Sequence, residues 1–600
     1  MTTSFTIEIR HPYKHLIDVT LQLAAPNPAG QVLRLPNWIP GSYMIRDFSR
    51  NIVTISATSL GEAVELRKTD KSTWQAPPAL TELTVHYQVY AWELSVRAAH
   101  VSQDHAFFNG TSVFLCPESL ENQPISLDLV KPEFAEAEHW RVATGMDETH
   151  VDDAGFGRRQ LADYDELIDH PVEIGDFKKL EFDACGVPHE IVLTGACHFD
   201  EERVKRDLRV ICESQIRFFG EPAPMQRYVF MVMVVNEGYG GLEHRASTAL
   251  LVTRNNLPIA GDEDNISDEY LNFLGLCSHE YFHTWNVKRI KPAVFVPYLL
   301  NAESYTRLLW FFEGITSYYD DLFLVRSGLI DQERYLDLLA KTVTRVQRGS
   351  GRLTQSVTDS SFDAWHKFYK QDENAPNAIV SYYAKGALVA LCLDAELRHR
   401  SKNQVSLDDL IKRLWSNWLE GQAGLTEDEP EHVAIELLDA SHHESMKAFF
   451  HLCLYSTAEL PLVDVCKKLG HQLEWRQRVS FKDAGGLVKG EQSPCVWIGA
   501  TIKAAAAGIT LVQVFRDGPA ECAGLAAGDV VVAVCKLQVS VESIESVLSR
   551  FSDSDQVVID YFRLGELRTA TLRVTHDELN TATILRNDVD LANKWLSENS

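Results

Sequence analysis

The chain has 600 residues, which at roughly 150 residues per domain makes about three or four domains. Hydrophobic residues make up 45% and charged residues 24%, with 33 Gly and 22 Pro, a globular balance that excludes disordered, collagen-like and small disulfide-rich chains. The net charge of −27 speaks against nucleic acid or an anionic membrane as partner of the whole chain, because neutralising phosphates takes clustered Lys and Arg.

Met1 to Arg10 shows no export-signal pattern. The longest obvious apolar run, Tyr228 to Val235, has eight residues, far below the ~20 that span a bilayer. Eleven cysteines are scattered with no C-x-x-C pair, which argues against a disulfide framework and a thiolate zinc site. The expectation is a soluble cytoplasmic protein with free thiols.

The first ~165 residues alternate apolar and polar positions in short runs such as Phe5 to Ile9, Ile17 to Leu21 and Leu83 to Val89, the period of antiparallel strands in a sandwich. Pro36 to Asn51 breaks the pattern with turn and aromatic residues; it is either a packed loop or a segment reaching toward a site. Phe199 to Phe219 has helical spacing, while Arg227 to Asn236 and Ala246 to Thr253 read as buried strands. From about 265 to 475 the chain is mostly helical, with long amphipathic stretches at Tyr305–Arg326 and Ala384–Arg400. Residues 480–576 return to short strands with glycine turns, and the end reads as a short helix with a frayed terminus. The resulting organisation is a multidomain α+β chain: an N-terminal antiparallel β-sandwich over 1–168, a mixed then helical domain over 169–478, a β domain over 479–577 and a tail helix over 578–600.

One motif carries chemistry. His279-Glu280-Tyr281-Phe282-His283 is an H-E-x-x-H, and on a helix residues four apart share a face, so both imidazoles reach one ion. Asn265 and Ser267 offer caps before it and Pro292 blocks continuation beyond it. Tyr270, Leu274, Cys277, Tyr281 and Trp285 form an apolar stripe; Asn272, Gly275, His279, His283 and Asn286 form the opposite one. Catalytic zinc takes three protein ligands and leaves a fourth position open. Glu313, a lone carboxylate in the apolar run Leu309 to Gly314, is the candidate third ligand, unless it is a buried acid paired with an arginine. One Zn2+ per chain would polarise a scissile carbonyl and acidify a water. Glu280 would take that water's proton and deliver it to the leaving amine.

HEYFHTWNVKRIKP (His279 to Pro292), LLWFFEGITSYYDDL (Leu308 to Leu322) and the tail domain together resemble the gluzincin metallopeptidases, specifically the glycyl aminopeptidases with a C-terminal PDZ module, metallopeptidase family sixty-one. Between His283 and Glu313, 29 residues intervene, a longer interval than in the related aminopeptidase N group. The resemblance implies a thermolysin-like α/β plus helical catalytic domain over 169–478 and a PDZ β-domain over 479–577. By similarity to aminopeptidase N relatives, Gly240-Gly241-Leu242-Glu243-His244 resembles their G-x-M-E-N motif, so that Gly240, Gly241 and Glu243 bind substrate and Glu243 pairs with its free ammonium. Leu242 and His244 depart from that motif, and the glycines alone would also suit an ordinary turn. Tyr383-Ala384-Lys385-Gly386 resembles the Y-x-K-G element whose Tyr donates to the oxyanion, with Tyr382 the competing phenol and core packing the other use of either ring.

The stretch Gly508 to Val530 looks like a PDZ domain, with Val541 to Phe551 as its groove helix and Val496-Trp497-Ile498-Gly499 as its carboxylate loop; a module that only packs against the enzyme would look the same. The expected activity is removal of small N-terminal residues, Gly or Ala, from peptides with a free N-terminus, with a possible C-terminal peptide on the PDZ groove. A PDZ-assisted zinc endopeptidase and a non-catalytic PDZ adaptor are the alternatives.

Overall fold

In the computed structural model, which describes residues 3–148, 150–261, 265–490 and 492–597, strand Thr3–Glu8 buries every other side chain, as its alternating sequence dictates. It pairs antiparallel with Leu16–Leu23 but parallel with Ile125–Leu129. The eight-stranded sheet containing it is therefore mixed and not wholly antiparallel. Alternation reveals which face a residue takes, not the direction of the neighbouring strand, and the long excursion between the two strands permits the parallel pairing. Two four-stranded sheets accompany it, and residues of all three, among them Phe5, Leu33 and Phe107, share one hydrophobic core.

That core continues through Val229, Met231 and Leu242 into a five-stranded sheet ordered Lys178–Ala184, Val187–Thr194, Tyr228–Val235, Ser247–Thr253, Gly240–Glu243. Its middle three strands run parallel. Burial on both faces is why Tyr228–Val235 is a continuous apolar run. The short strand Gly240–Glu243 pairs antiparallel at the sheet edge. Helix Glu201–Phe219 begins at Asp200, whose carboxylate accepts from the Arg203 N–H. Helix Asp268–Phe282 begins at Ser267, whose hydroxyl accepts from the Tyr270 N–H, with Asp268 and Glu269 in its first turn. Such a cap contributes about 1 kcal/mol, and the acids oppose the positive helix end. All of this belongs to one unit, Met1–Ser304 with Gln422–Gly424.

The other unit comprises Tyr305–Gly421 and Leu425–Ser600. The stretch expected to be helical from Tyr305 becomes so only at Trp310: Trp310–Gly314 form a turn of π-helix that leads into helix Ile315–Arg326. Trp310, Phe311, Phe312, Glu313 and Gly314 are all buried, so no polar stripe constrains this turn to the 3.6 period. Helix Ala384–Arg400 is buried almost throughout and crosses that turn glycine to glycine. A Cβ on Gly314 would lie 2.6 Å from the Gly386 Cα.

Beyond the helices, strands Ala500–Ala505, Gly508–Val514, Val530–Val534, Gln556–Arg563 and Glu566–Arg573 form a sheet with a core of its own around Ile509, Leu511, Val557 and Ile559. Of the helix expected over 541–551, the α-helical part is Ile544–Leu548. The tail is more than a frayed helix. Strand Thr581–Arg586 pairs antiparallel with His471–Arg476, and helix Val589–Leu596 follows. In that helix the buried Trp595 indole donates to the Tyr318 hydroxyl at 2.8 Å. Residues 598–600 of the expected tail lie outside the described residues. Among the described residues, no helix is long and apolar enough to cross a membrane.

Candidate active site

The H-E-x-x-H motif closes the helix Asp268–Phe282, with His283 as its C-cap. Tyr270, Leu274, Cys277, Tyr281 and Trp285, the apolar stripe, are all buried and anchor the helix from behind. The Tyr281 hydroxyl donates to His189 Nε2 at 2.9 Å, because His189 Nδ1 donates to the Val187 carbonyl at 2.8 Å. The other stripe brings the two imidazoles together: Nε2 of His279 and Nε2 of His283 are 3.1 Å apart. His283 Nδ1 lies 2.7 Å from the Asn286 carbonyl, and donating to it leaves Nε2 as a bare lone pair. Two nitrogens bound ~2.0–2.1 Å from one tetrahedral ion sit about 3.3 Å apart. The observed spacing is close to that of two nitrogens on one ion.

The edge strand Gly240–Glu243 supplies the next groups. Its period of two sends Leu242 into the core and turns Gly241 and Glu243 to the opposite face. A Cβ on Gly241 would fall 2.1 Å from Glu280 Oε1, so glycine is what lets the strand lie against that carboxylate. Glu243, Glu280 and His283 are all buried and offer ligand atoms within 4.8 Å of one another. Glu243 Oε1 has no hydrogen-bond partner among the described residues. Two buried carboxylates this close repel unless they share a proton or a cation joins them. Gly240 opens the strand facing Arg97, whose guanidinium donates to the Gly241 carbonyl at 3.2 Å.

In the second unit Glu313 sits in the π turn, 2% exposed. The crossing of Gly314 and Gly386 brings the Tyr382–Tyr383 segment to it. Tyr382 is fully buried, and its phenol is raised well above its usual range by burial, with the Tyr369 and Glu313 charges adding to the effect. Tyr383 is half-buried, its ring stacked on Tyr382 with centroids 4.7 Å apart.

A family profile described as the peptidase M61 N-terminal domain matches residues 4–176, and one described as M61 glycyl aminopeptidase matches residues 272–389. The crystal structure of an aminopeptidase N family protein from Idiomarina loihiensis is 42% identical, covers 99% of this chain and 100% of its own, and superposes with a TM-score of 0.94. The chain belongs to the M61 glycyl aminopeptidase family. It is an enzyme, a metallopeptidase. An M1 zinc metallopeptidase from Deinococcus radiodurans, solved as a mutant with a Tyr-Ser-Ala substrate, aligns over 76% of this chain and 94% of its own at 15% identity and a TM-score of 0.45. No curated protein matches the chain.

Around the candidate site of this M61 chain stand residues that carry no motif. Gly41, in the aromatic turn segment Pro36–Asn51, lies against Glu243. A Cβ there would meet Glu243 Oε2 at 2.5 Å, and its φ of +92° suits glycine alone. The segment therefore reaches the site, held by the Trp38 indole donating to the Leu299 carbonyl at 2.9 Å and by Tyr43 stacked on Phe295. Its mixture of turn and aromatic residues was the available signal. Behind Glu243, His244 lies 3.5 Å and Lys288 2.6 Å from the Asp169 carboxylate. Burial pushes Asp169 up, but the Lys288 ammonium and Arg245 guanidinium hold it well below the usual carboxylate range. Burial also pushes the His244 imidazole down. His244, the departure from G-x-M-E-N, is thus buried beside the Asp169 carboxylate.

Near the C-terminus of the M61 chain, Trp497 ends a two-residue strand paired with Thr575 and His576. The Ile498 carbonyl accepts from the Ala520 N–H at 2.8 Å and the Gly499 carbonyl from the Phe515 N–H at 2.9 Å. A Cβ on Gly499 would strike Pro519 at 2.7 Å. The loop is tightly built, and its carbonyls are spent on the fold.

Proposed function

We propose that this M61-family enzyme is a zinc aminopeptidase that removes small N-terminal residues, Gly or Ala, from peptides. His279, His283 and Glu313 would hold one Zn2+: two imidazoles and a carboxylate are a zinc donor set, and the paired Nε2 atoms suit it. When bound, the ion polarises the scissile carbonyl and acidifies water. Glu280, next to a ligand and held against Gly241, takes the proton of the attacking water and returns it to the leaving amine. Glu243 binds the substrate ammonium beside Gly240 and Gly241, fixing the cut one residue in. The Tyr383 phenol donates to the developing oxyanion; its partial exposure favours it over the buried Tyr382.

The observation that carries this reading is the buried pair Glu243 and Glu280 beside His283, since a free amine supplies the positive charge that the pair needs. The small-residue preference is supported by the family's description.

The domains we assign are the N-terminal β domain over 1–168, the gluzincin-type peptidase domain over 169–478, a PDZ domain over 479–577 able to take a peptide C-terminus near Trp497, Ile498 and Gly499, and a tail over 578–600. All eleven cysteines are free, which supports a reducing, cytoplasmic setting.

The deciding experiment compares Glu243→Gln with the parent on a peptide library with free and N-acetylated ends. We expect kcat/KM on free-amine substrates to fall about 100-fold, as for a lost charged contact, while the weak action on acetylated ones is unchanged. Equal losses on both would remove the exopeptidase reading, and rapid cleavage of acetylated peptides by the parent would make the enzyme an endopeptidase.

A further inference from the structure

The second unit contains a cavity of about 730 Å3, within the ~300–1,000 Å3 of ligand sites. Its walls come from helix Gln332–Arg348, the short helix Ala375–Ala378 with the chain that follows it, and the end of strand Gly508–Val514. In a chain of net charge −27, this wall is cationic. Lys341, Arg345, Arg348 and Arg352 line it, and Asp321 is the carboxylate among them.

Three of these cations already have partners, Lys341 among them. Arg352 pairs with Glu459 at 2.8 Å, and Arg348 donates to the Asp483 carbonyl at 2.6 Å and the Thr581 hydroxyl at 2.7 Å. Arg345 makes no hydrogen bond or ion pair with the described residues. Burial disfavours its charge, Asp320 acts the other way, and the side chain is exposed. Lys341 lies four residues earlier on the same helix face. The remaining wall is apolar, through Leu338, Ile379 and Phe515.

We propose that this cavity is a second peptide site, distinct from the metal motif, in which a carboxylate pairs with Arg345 beside Lys341 and apolar side chains pack on Leu338, Ile379 and Phe515. A compact inorganic anion would leave the apolar wall wet. An extended chain carrying both an acid and hydrophobic groups satisfies both halves. Trp497, Ile498 and Gly499 are not among the lining residues, so the site is separate from the loop assigned above to a peptide C-terminus. Ser381 and Ala384 do line it, so a bound chain lies beside the Tyr382–Tyr383 segment. The assignment stands on the cavity itself and does not depend on the zinc reading.

The test uses the full-length protein and its Arg345→Gln and Lys341→Gln variants. The probe is an N-terminally fluorescein-blocked hexapeptide, Ala-Leu-Ala-Phe-Ala-Leu, as free acid, as C-terminal amide, and as an amide with Glu in third place. We expect anisotropy to report binding of the free acid, weakened about tenfold or more by Arg345→Gln and less by Lys341→Gln. Hydrogen exchange should slow over 332–348 and 375–384. Binding of the Glu-bearing amide alone would assign the carboxylate to an internal acidic residue, within the proposal; binding of the free acid alone would assign it to a chain end. Unchanged affinity in Arg345→Gln, protection over 496–505 in place of 332–348, or displacement by inorganic phosphate at the same concentration as unlabelled peptide would each overturn it.

Discussion

Both units set glycine next to a buried carboxylate, but for opposite ends. In the first, glycine makes room for the acid itself: Gly241 faces Glu280 and Gly41 faces Glu243, with a hypothetical Cβ only 2.1 Å and 2.5 Å from carboxylate oxygens. In the second, Gly314 beside Glu313 makes room for another main chain, at 2.6 Å from Gly386. A side chain that meets a new methyl can swing aside, so the cost falls on where the carboxylate points. Two backbones that meet one must separate, so the cost falls on packing and stability.

The sharpest way to probe the first region is to leave its shape intact and remove its chemistry. Glu280→Gln should cut kcat by about 1,000-fold or more, with zinc content by mass spectrometry and melting temperature unchanged, as expected for loss of a general base. The next contrast sets the two kinds of glycine side by side. Gly241→Ala should cost about 100-fold in kcat through a displaced Glu280 while denaturant stability holds. Gly386→Ala should instead destabilise by about 1–3 kcal/mol or more. Similar stability losses in both variants would break the comparison.

The smallest effect is one of pH. Burial holds His170 and His189 of the first unit down at about 4, against about 6.5 in an unfolded chain. Between those values the unfolded chain takes up protons that the folded one refuses, so stability falls as pH drops from about 6.5 to about 4 and levels off below. In the second unit His471 is also lowered by burial. Calorimetry across this window should show the first unit's transition falling as the pH drops, and His189→Gln should flatten that slope.

Local pattern made much of the site legible. The spacing of His279 and His283, the Ser267 cap and the apolar stripe behind the motif all follow from neighbours a few residues apart, whereas the edge strand of Glu243 was implied only by the resemblance to the G-x-M-E-N motif. The π turn at Trp310–Gly314 was not legible, because a run with Glu313 as its one charged residue gives too little contrast for a period to be read. Nor was the strand at Thr581–Arg586, whose partner His471–Arg476 lies over 100 residues earlier.

What the sequence determined by itself was the capped helix that carries the two imidazoles on one face and the apolar stripe on the other, since a helical period is set by residues in direct succession. Only the tertiary structure decided that Gly41 closes over Glu243, that His244 and Lys288 share Asp169, and that Arg345 is left facing a cavity. Each of those depends on contacts between segments far apart in the chain, whose geometry is fixed by the packing of whole sheets and helices.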